Sequence, residues 1–312
     1  MVWKPIVVAV DDSPEAANAA AFGWRLADMV GTSCHLVHAV PDPGTALAAA
    51  LMGGRARALE AGITELVGPG LRAALRPSVI PQALDRLDIR IGRTAIVLKA
   101  EVERLGAGLV IIGGKHHPAL GRWLGGRTAR DAVRILPVPV LVTRGAPTAL
   151  RRVLAAVDLS YAAEPTIREA ERFVTLAGGQ LRAVHVVERV TAIQDVARFV
   201  SEQEFTAYSV GVLESDVWPL LRMPGAEKSV RSGHAVVALA AEATEWQADL
   251  LVVGSHGKGW VDRLLLGTVT ERLLDQLPVS LLVVPVHKPE LIDEPGERES
   301  HGQTTAPVGV GT

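Results

Sequence analysis

The stretch Leu250-Leu251-Val252-Val253-Gly254-Ser255-His256-Gly257 decides the fold. Four aliphatic residues in a row, with no polar alternation, predict a short strand buried on both faces. A glycine-bounded loop follows at once. After nine further residues come Gly267 and Thr268, and an apolar-periodic helical segment starts there. A buried strand, a glycine loop and a helix start are the parts of a backbone anion cradle.

Working outward, the same frame occurs twice in the 312 residues. Asp11 after Val7-Val8-Ala9-Val10 corresponds to Asp158 after Leu154-Ala155-Ala156-Val157, and Val37-His38 to Val184-His185, both at an offset of 147. Later matches have an offset of 141: Gly92 with Gly233, Gly113 with Gly254, Gly126 with Gly267 and Pro137 with Pro278. A repeat at fixed offset means two copies of one folding unit. The change of six residues falls between the second and third strands, which marks that interval as variable.

Each half reads as successive βαβ units. In the second half the expected strands are Val153–Val157, Leu181–Val187, one near Lys228–Ser232, Leu250–Gly254 and Ser280–Val284. Helices are expected over Glu164–Leu176, Ala235–Trp246 and Thr268–Gln276. The runs lack alternation, so the sheets should be parallel and covered on both faces. The fold class is α/β, with two tandem doubly wound domains, each a five-stranded parallel sheet. The expected boundaries are 1–146, 147–288 and a disordered tail over 289–312, whose Pro, Gly and polar residues show no periodicity. In the insertion Glu188–Ala226, Ile193, Val196, Phe199 and Val200 share one helical face, expected to pack on its own domain. The first half fills that interval with Ala-rich helix, expected to break at Gly68-Pro69-Gly70. Val138–Thr143 and Ser280–Val284 are apolar last strands whose edges need cover.

Bulk properties exclude several classes. The chain is 48% hydrophobic but only 4% aromatic, which suits an aliphatic core of helices on a sheet. A net charge of −2 offers no basic field for nucleic acid or anionic lipid. No apolar run approaches the ~18 residues of a spanning helix. Ile6–Val10 runs into Asp11 and Asp12, as a strand enters a loop and not as a signal sequence does. The single cysteine, Cys34, lies in an apolar run and fits a reducing compartment. A cytoplasmic protein that meets neither nucleic acid nor membrane is expected.

Both halves resemble the universal stress protein domain, over about 285 residues. Gly254-x2-Gly257-x9-Gly267-Thr268 matches that family's ATP-binding pattern, and the string from Gly254 to Glu271 is similar to its ATP-binding branch. The resemblance implies ATP as ligand, with Mg as a candidate companion. It implies a site in the second half built from Asp158, Val186, Gly254, His256, Gly257, Gly267, Thr268, Val269 and Thr270. It also implies pairing of the two halves through their last strands, with a further homodimer possible.

The residues suit those roles on physical grounds. Ligands of a doubly wound sheet sit at the carboxyl ends of strands, where Asp158 and Gly254 fall. Glycine lets backbone turn and approach phosphate closely. Thr268, at a helix start, can offer a hydroxyl to phosphate or simply cap the helix, and Thr270 can donate likewise. The Val186 backbone can meet an adenine edge. Asp158 can accept from ribose or an amino group, or serve only its turn. His256, Lys258 and Arg263 are either ligand contacts or surface residues. His185, duplicated as His38, reads as a structural histidine.

In the first half, His116 replaces the second glycine and Arg127 replaces the threonine. That half has either lost nucleotide binding and become a packing partner, or holds an anion through Arg127, Lys115 and His116. Adjacent His116 and His117 do not share a face, so no metal site is expected. No catalytic constellation is evident: there is no P-loop, nucleophile elbow or nucleophile–base pair. The expected function is a nucleotide-binding regulatory or stress protein. The alternatives are a slow ATPase or adenylate-chemistry enzyme, and an interaction module with a structural nucleotide.

Overall fold

Runs of Val, Ile and Leu form the strands because β-branched and aliphatic side chains pack well on a pleated, covered surface. The computed structural model describes residues 4–41, 55–117, 122–124, 126–147, 150–188, 202–257 and 266–286. In the first repeat, β1 (Ile6–Ala9), β2 (Cys34–Val40), β3 (Leu87–Ile91), β4 (Leu109–Gly113) and β7 (Val140–Thr143) are parallel. The intervening helices are α1 (Pro14–Val30), α2 (Arg55–Leu75), the single turn α3 (Pro81–Leu84), α4 (Thr94–Leu105) and α5 (Gly126–Ile135). Two three-residue strands, β5 (Lys115–His117) and β6 (Arg122–Leu124), form a separate antiparallel pair.

The second repeat has β8 (Arg152–Ala156), β9 (Gln180–Val187), β10 (Glu227–Ser232), β11 (Leu250–Gly254) and β12 (Ser280–Val284), also parallel. Its helices are α6 (Ala163–Ala177), α7 (Glu202–Val212), α8 (Ala235–Glu245) and α9 (Thr268–Gln276). After α7 the chain winds through a π-helical turn, Leu213–Val217, and a 3-10 turn, Trp218–Leu220.

The ten main strands make one sheet, ordered β10-β9-β8-β11-β12-β7-β4-β1-β2-β3. The last strands meet antiparallel at its centre, with Leu281 opposite Val142, Leu282 opposite Leu141 and Val283 opposite Val140. Each apolar edge therefore covers the other, and Leu141 and Leu282 are fully buried. Polar contacts flank this seam. Ser280 Oγ accepts from Arg144 N at 3.0 Å, and Arg130 pairs with Asp275 at 3.0 Å and Arg134 with Glu271 at 3.1 Å. One core, with α1, α2 and α6, covers one face of the sheet, and a second, with α4, α5, α8 and α9, covers the other.

Two expectations change. The α2 helix is not interrupted at Gly68-Pro69-Gly70; Pro69 lies inside it. Proline costs a helix one hydrogen bond, and here the burial of Leu71 and Leu75 beyond it holds the helix together. The sheet is not covered everywhere: edge strand β10 alternates, with Glu227, Lys228 and Val230 reaching solvent. The helical face Ile193–Val200, the residues Lys258 and Arg263, and the tail from 289 lie outside the described residues.

Candidate functional site

In each repeat the first strand ends in an aspartate that organises the following turn. Asp158 Oδ1 accepts from Ser160 N at 3.2 Å and from Ser160 Oγ at 2.6 Å, and Ser160 Oγ accepts in turn from Ala162 N. Asp11 and Ser13 repeat this arrangement. The turn fixes one carboxylate oxygen and aims the other, Oδ2, at Gly257. A Cβ built on Gly257 would lie 2.3 Å from that oxygen.

The two histidines are structural, as the repeat suggested. His38 Nδ1 lies 2.8 Å from the Val10 carbonyl, and His185 Nδ1 lies 2.8 Å from the Val157 carbonyl. Each ties a second strand to the end of a first. That tie fixes the level at which Val186 meets the crevice.

Beyond β11 the loop is drawn back onto the sheet by Ser255, a residue the sequence did not single out. Its N–H donates to the Val284 carbonyl at 2.8 Å, and its Oγ accepts from Val286 N at 3.0 Å. Its carbonyl accepts from Gly267 N at 2.9 Å. The start of α9 is thereby held against the end of β11, although nine residues separate Gly257 from Gly267. A polar residue between a strand and a glycine was the one available signal for it.

The glycines serve for space. None of Gly254, Gly257 and Gly267 has a left-handed backbone; Gly267 is extended, at φ −60° and ψ 138°. A Cβ on Gly254 would meet the His256 carbonyl at 3.1 Å, and one on Gly267 the Ser255 carbonyl at 3.2 Å. The first-repeat counterpart of Gly267 is also a glycine but differs in conformation: Gly126 has φ +72°.

Gly267 is the N-cap of α9 and makes no side-chain cap, so Thr268 does not cap the helix. Thr268 is the first helical residue and is exposed. The first intrahelical bond runs from Glu271 N to the Gly267 carbonyl at 2.9 Å. The amides of Thr268, Val269 and Thr270 therefore have no intrahelical acceptor, and the helix dipole favours an anion there. Thr270 departs from its expected part. Its hydroxyl donates to the Gly254 carbonyl at 2.8 Å, so that proton tethers α9 to β11 and is not available to phosphate.

These pieces close around a cavity of about 660 Å³. Asp158, Val186, Gly254, His256, Gly257, Gly267, Thr268, Val269 and Thr270 all line it. The volume lies within the roughly 300–1,000 Å³ of small-molecule sites. It opens between β8 and β11, where crossovers diverge to opposite faces. His256 is half-buried, with Nδ1 2.9 Å from Ser255 Oγ, and burial pushes its pKa below the ordinary 6.5. Glu188, directly after β9, also lines the cavity. Its Oε1 accepts from Ala235 N at 2.8 Å and so occupies the start of α8 with a carboxylate. Among the described residues, no carboxylate caps the start of α9 in this way.

The first repeat is built differently at the same level. Asp11 Oδ2 lies 3.7 Å from Lys115 Nζ, and the chain beyond Lys115 forms the β5–β6 pair. Arg127 is exposed and, with Arg93, lines a separate cleft of about 340 Å³ at the starts of α4 and α5. Cys34 is buried, its thiol pushed up to about 12 by desolvation, which makes it an inert core residue. Among the described residues no helix is long and apolar enough to cross a membrane, and no group of three or more ligating side chains could hold a metal ion.

A doubly wound sheet in two copies, with this strand–loop–helix frame at its switch point, defines a class. The model of the universal stress protein family matches residues 3–144 and again 149–285, and the chain belongs to that family. A universal stress protein of Mycolicibacterium smegmatis (strain ATCC 700084 / mc(2)155) is 31% identical over 182 residues, 57% of this chain and 62% of that relative's length. Universal stress protein A homolog 2 of Coxiella burnetii is 24% identical over 140 residues, covering 44% of this chain and 95% of the relative. The crystal structure of a universal stress protein from Archaeoglobus fulgidus DSM 4304 superposes with a TM-score of 0.59 at 17% identity, over 90% of this chain and 98% of that one. That likeness shows the fold.

Proposed function

We propose that the second repeat binds ATP and that the protein works as a nucleotide-responsive regulator in the stress response. The observation that carries this is the cradle at Gly257, where the space beside Asp158 admits no Cβ and the uncapped amides of α9 face the same cavity. The γ-, β- and α-phosphates belong at the Gly257 and Thr268–Thr270 backbone. The ribose belongs at the Asp158 carboxylate, and the adenine edge at the Val186 backbone. Two carboxylates, Asp158 and Glu188, keep phosphate from the far end of the cavity by charge repulsion. Mg would accompany the phosphates as a counter-ion.

In this proposal the two repeats are unequal. The second holds the nucleotide, and the first, with Asp11 paired to Lys115 and Arg127 at the helix start, acts as its packing partner across the β7–β12 seam. The compartment proposed is the cytoplasm, in keeping with a single buried thiol. ATP must bind one conformation more tightly than another for regulation to follow.

Heat-denaturing the purified protein and identifying released nucleotide by chromatography tests the binding. Release of ATP from the wild type, and its loss in Gly257→Arg but not in Arg127→Ala, is the expected outcome. Equal loss in both variants would overturn the asymmetry. Steady production of ADP by the purified chain would move the proposal to a slow ATPase.

A further inference from the structure

The cavity has one wall that the glycine frame does not supply. Phe205 and Ser209 of α7 line it, and their spacing puts both on one face of that helix. Ser209 is only 1% exposed, and it lines the cavity. A hydroxyl on a cavity wall can both donate to and accept from a ligand atom. Tyr208, on the flank of the same helix, is open to solvent.

The anchoring of α7 says which end of the cavity it covers. The π turn and 3-10 turn that continue it bury Leu213, Val217 and Trp218 against Val157 and Ala183, at β8 and β9. This lies on the side of β8 away from β11 in the sheet order, so α7 stands over the Val186 end and not over the phosphate cradle. The chemistry agrees, because an aromatic ring and a neutral hydroxyl beside the Asp158 and Glu188 carboxylates suit a nucleoside and not a phosphate. The segment is also where the two repeats differ. In the first, the helix of this interval sinks Leu71 and Leu75 into the core.

We infer that Phe205 and Ser209 form a nucleoside-reading wall, in which the Phe205 ring packs on the nucleoside and the Ser209 hydroxyl bonds to one of its polar atoms. This rests on the second repeat being a nucleotide site. It makes the variable insertion a specificity element of that site, and makes both residues determinants of which ligand the protein accepts.

Isothermal titration of the purified full chain with ATP, and separately with inorganic tripolyphosphate, tests it. Phe205→Ala should weaken ATP about tenfold and Ser209→Ala about fivefold. Tripolyphosphate affinity should stay as in the wild type for both. Tyr208→Ala, at an exposed residue of α7 that does not line the cavity, should change neither ligand, and Phe205→Leu stands in if the alanine variant does not fold. Wild-type ATP affinity in the wall variants would overturn the wall and leave the nucleotide site standing. Parallel loss of ATP and tripolyphosphate would also overturn it, by showing that α7 only supports the cradle. A wild type that binds no ATP would remove the nucleotide reading and the wall together.

Discussion

A methyl group at Gly257 is the sharpest probe of the site. Its Cβ would stand 2.3 Å from Asp158 Oδ2 and 3.3 Å from Asp158 Cγ. An unstrained non-bonded contact is about 3.5–4.0 Å, so the overlap exceeds what small shifts absorb. Gly257 is outside the left-handed region, so alanine brings no backbone strain and the substitution isolates the effect of space. The carboxylate cannot simply turn away, because Oδ1 is held by Ser160 N at 3.2 Å and Ser160 Oγ at 2.6 Å. Either that turn opens or the loop lifts off the strand end. A hydrogen bond to a charged group contributes about 1.5–3 kcal/mol. At about 1.4 kcal/mol per tenfold, displacing Asp158 from a ribose hydroxyl weakens ATP by roughly 10- to 100-fold. Titration calorimetry measures this directly. Gly62→Ala, where a Cβ meets nothing within 4 Å, is the matched control and should leave ATP affinity unchanged. Deleting the carboxylate removes the clash, so Asp158→Ala/Gly257→Ala should bind no worse than Asp158→Ala alone. Unchanged affinity in Gly257→Ala, or fully additive losses in the double variant, would refute the reasoning.

Further outcomes follow from the same contacts. Ser255→Ala strips the buried Val286 amide of its acceptor, which should cost about 1–3 kcal/mol in chemical denaturation; an unchanged midpoint would count against the stitch. Thr270→Val breaks the 2.8 Å bond to the Gly254 carbonyl, so stability should fall by about 1 kcal/mol while tripolyphosphate still binds. At the seam, Glu271→Gln with Asp275→Asn should cost at most about 1 kcal/mol per half-exposed pair, whereas Leu282→Ala should cost about 2–5 kcal/mol; the reverse order would show that charge and not strand packing joins the repeats. His256 has a folded pKa below 6.5 because burial disfavours its charged form. Its contribution to stability is therefore present above about pH 6.5 and lost as pH falls through the folded value. Thermal melts of His256→Gln should accordingly fall less steeply on acidification than those of the wild type.

Much of this protein was legible in the chain itself. The runs Leu250–Gly254 and Ser280–Val284 and the helix Thr268–Gln276 have the observed bounds, because uninterrupted aliphatic runs and glycine boundaries are local signals. The duplicated Asp, His and Gly positions fixed the two repeats and the crevice residues, since a repeat must place equivalent residues at equivalent strand ends. Other features were not local. The continuity of helix through Pro69 depends on what Leu71 and Leu75 bury, and that is decided by the core. The parts of Ser255, Glu188, Phe205 and Ser209 depend on neighbours far along the chain, which no spacing rule encodes. The function of the glycines was visible as a pattern, but its cause was not: the sequence suggested backbone freedom, and the fold shows that Asp158 Oδ2 fills the volume a side chain at Gly257 would need. The sequence alone thus determined where the strands lie along the chain, the repeat and the candidate residues of the crevice, through periodicity and spacing. Pairing through the last strands was implied by the family resemblance; only the tertiary structure decided its antiparallel register, with Leu282 opposite Leu141, that Thr270 is a tether, and that α7 walls the cavity. Those outcomes rest on contacts between segments whose separation in sequence carries no information about their distance in space.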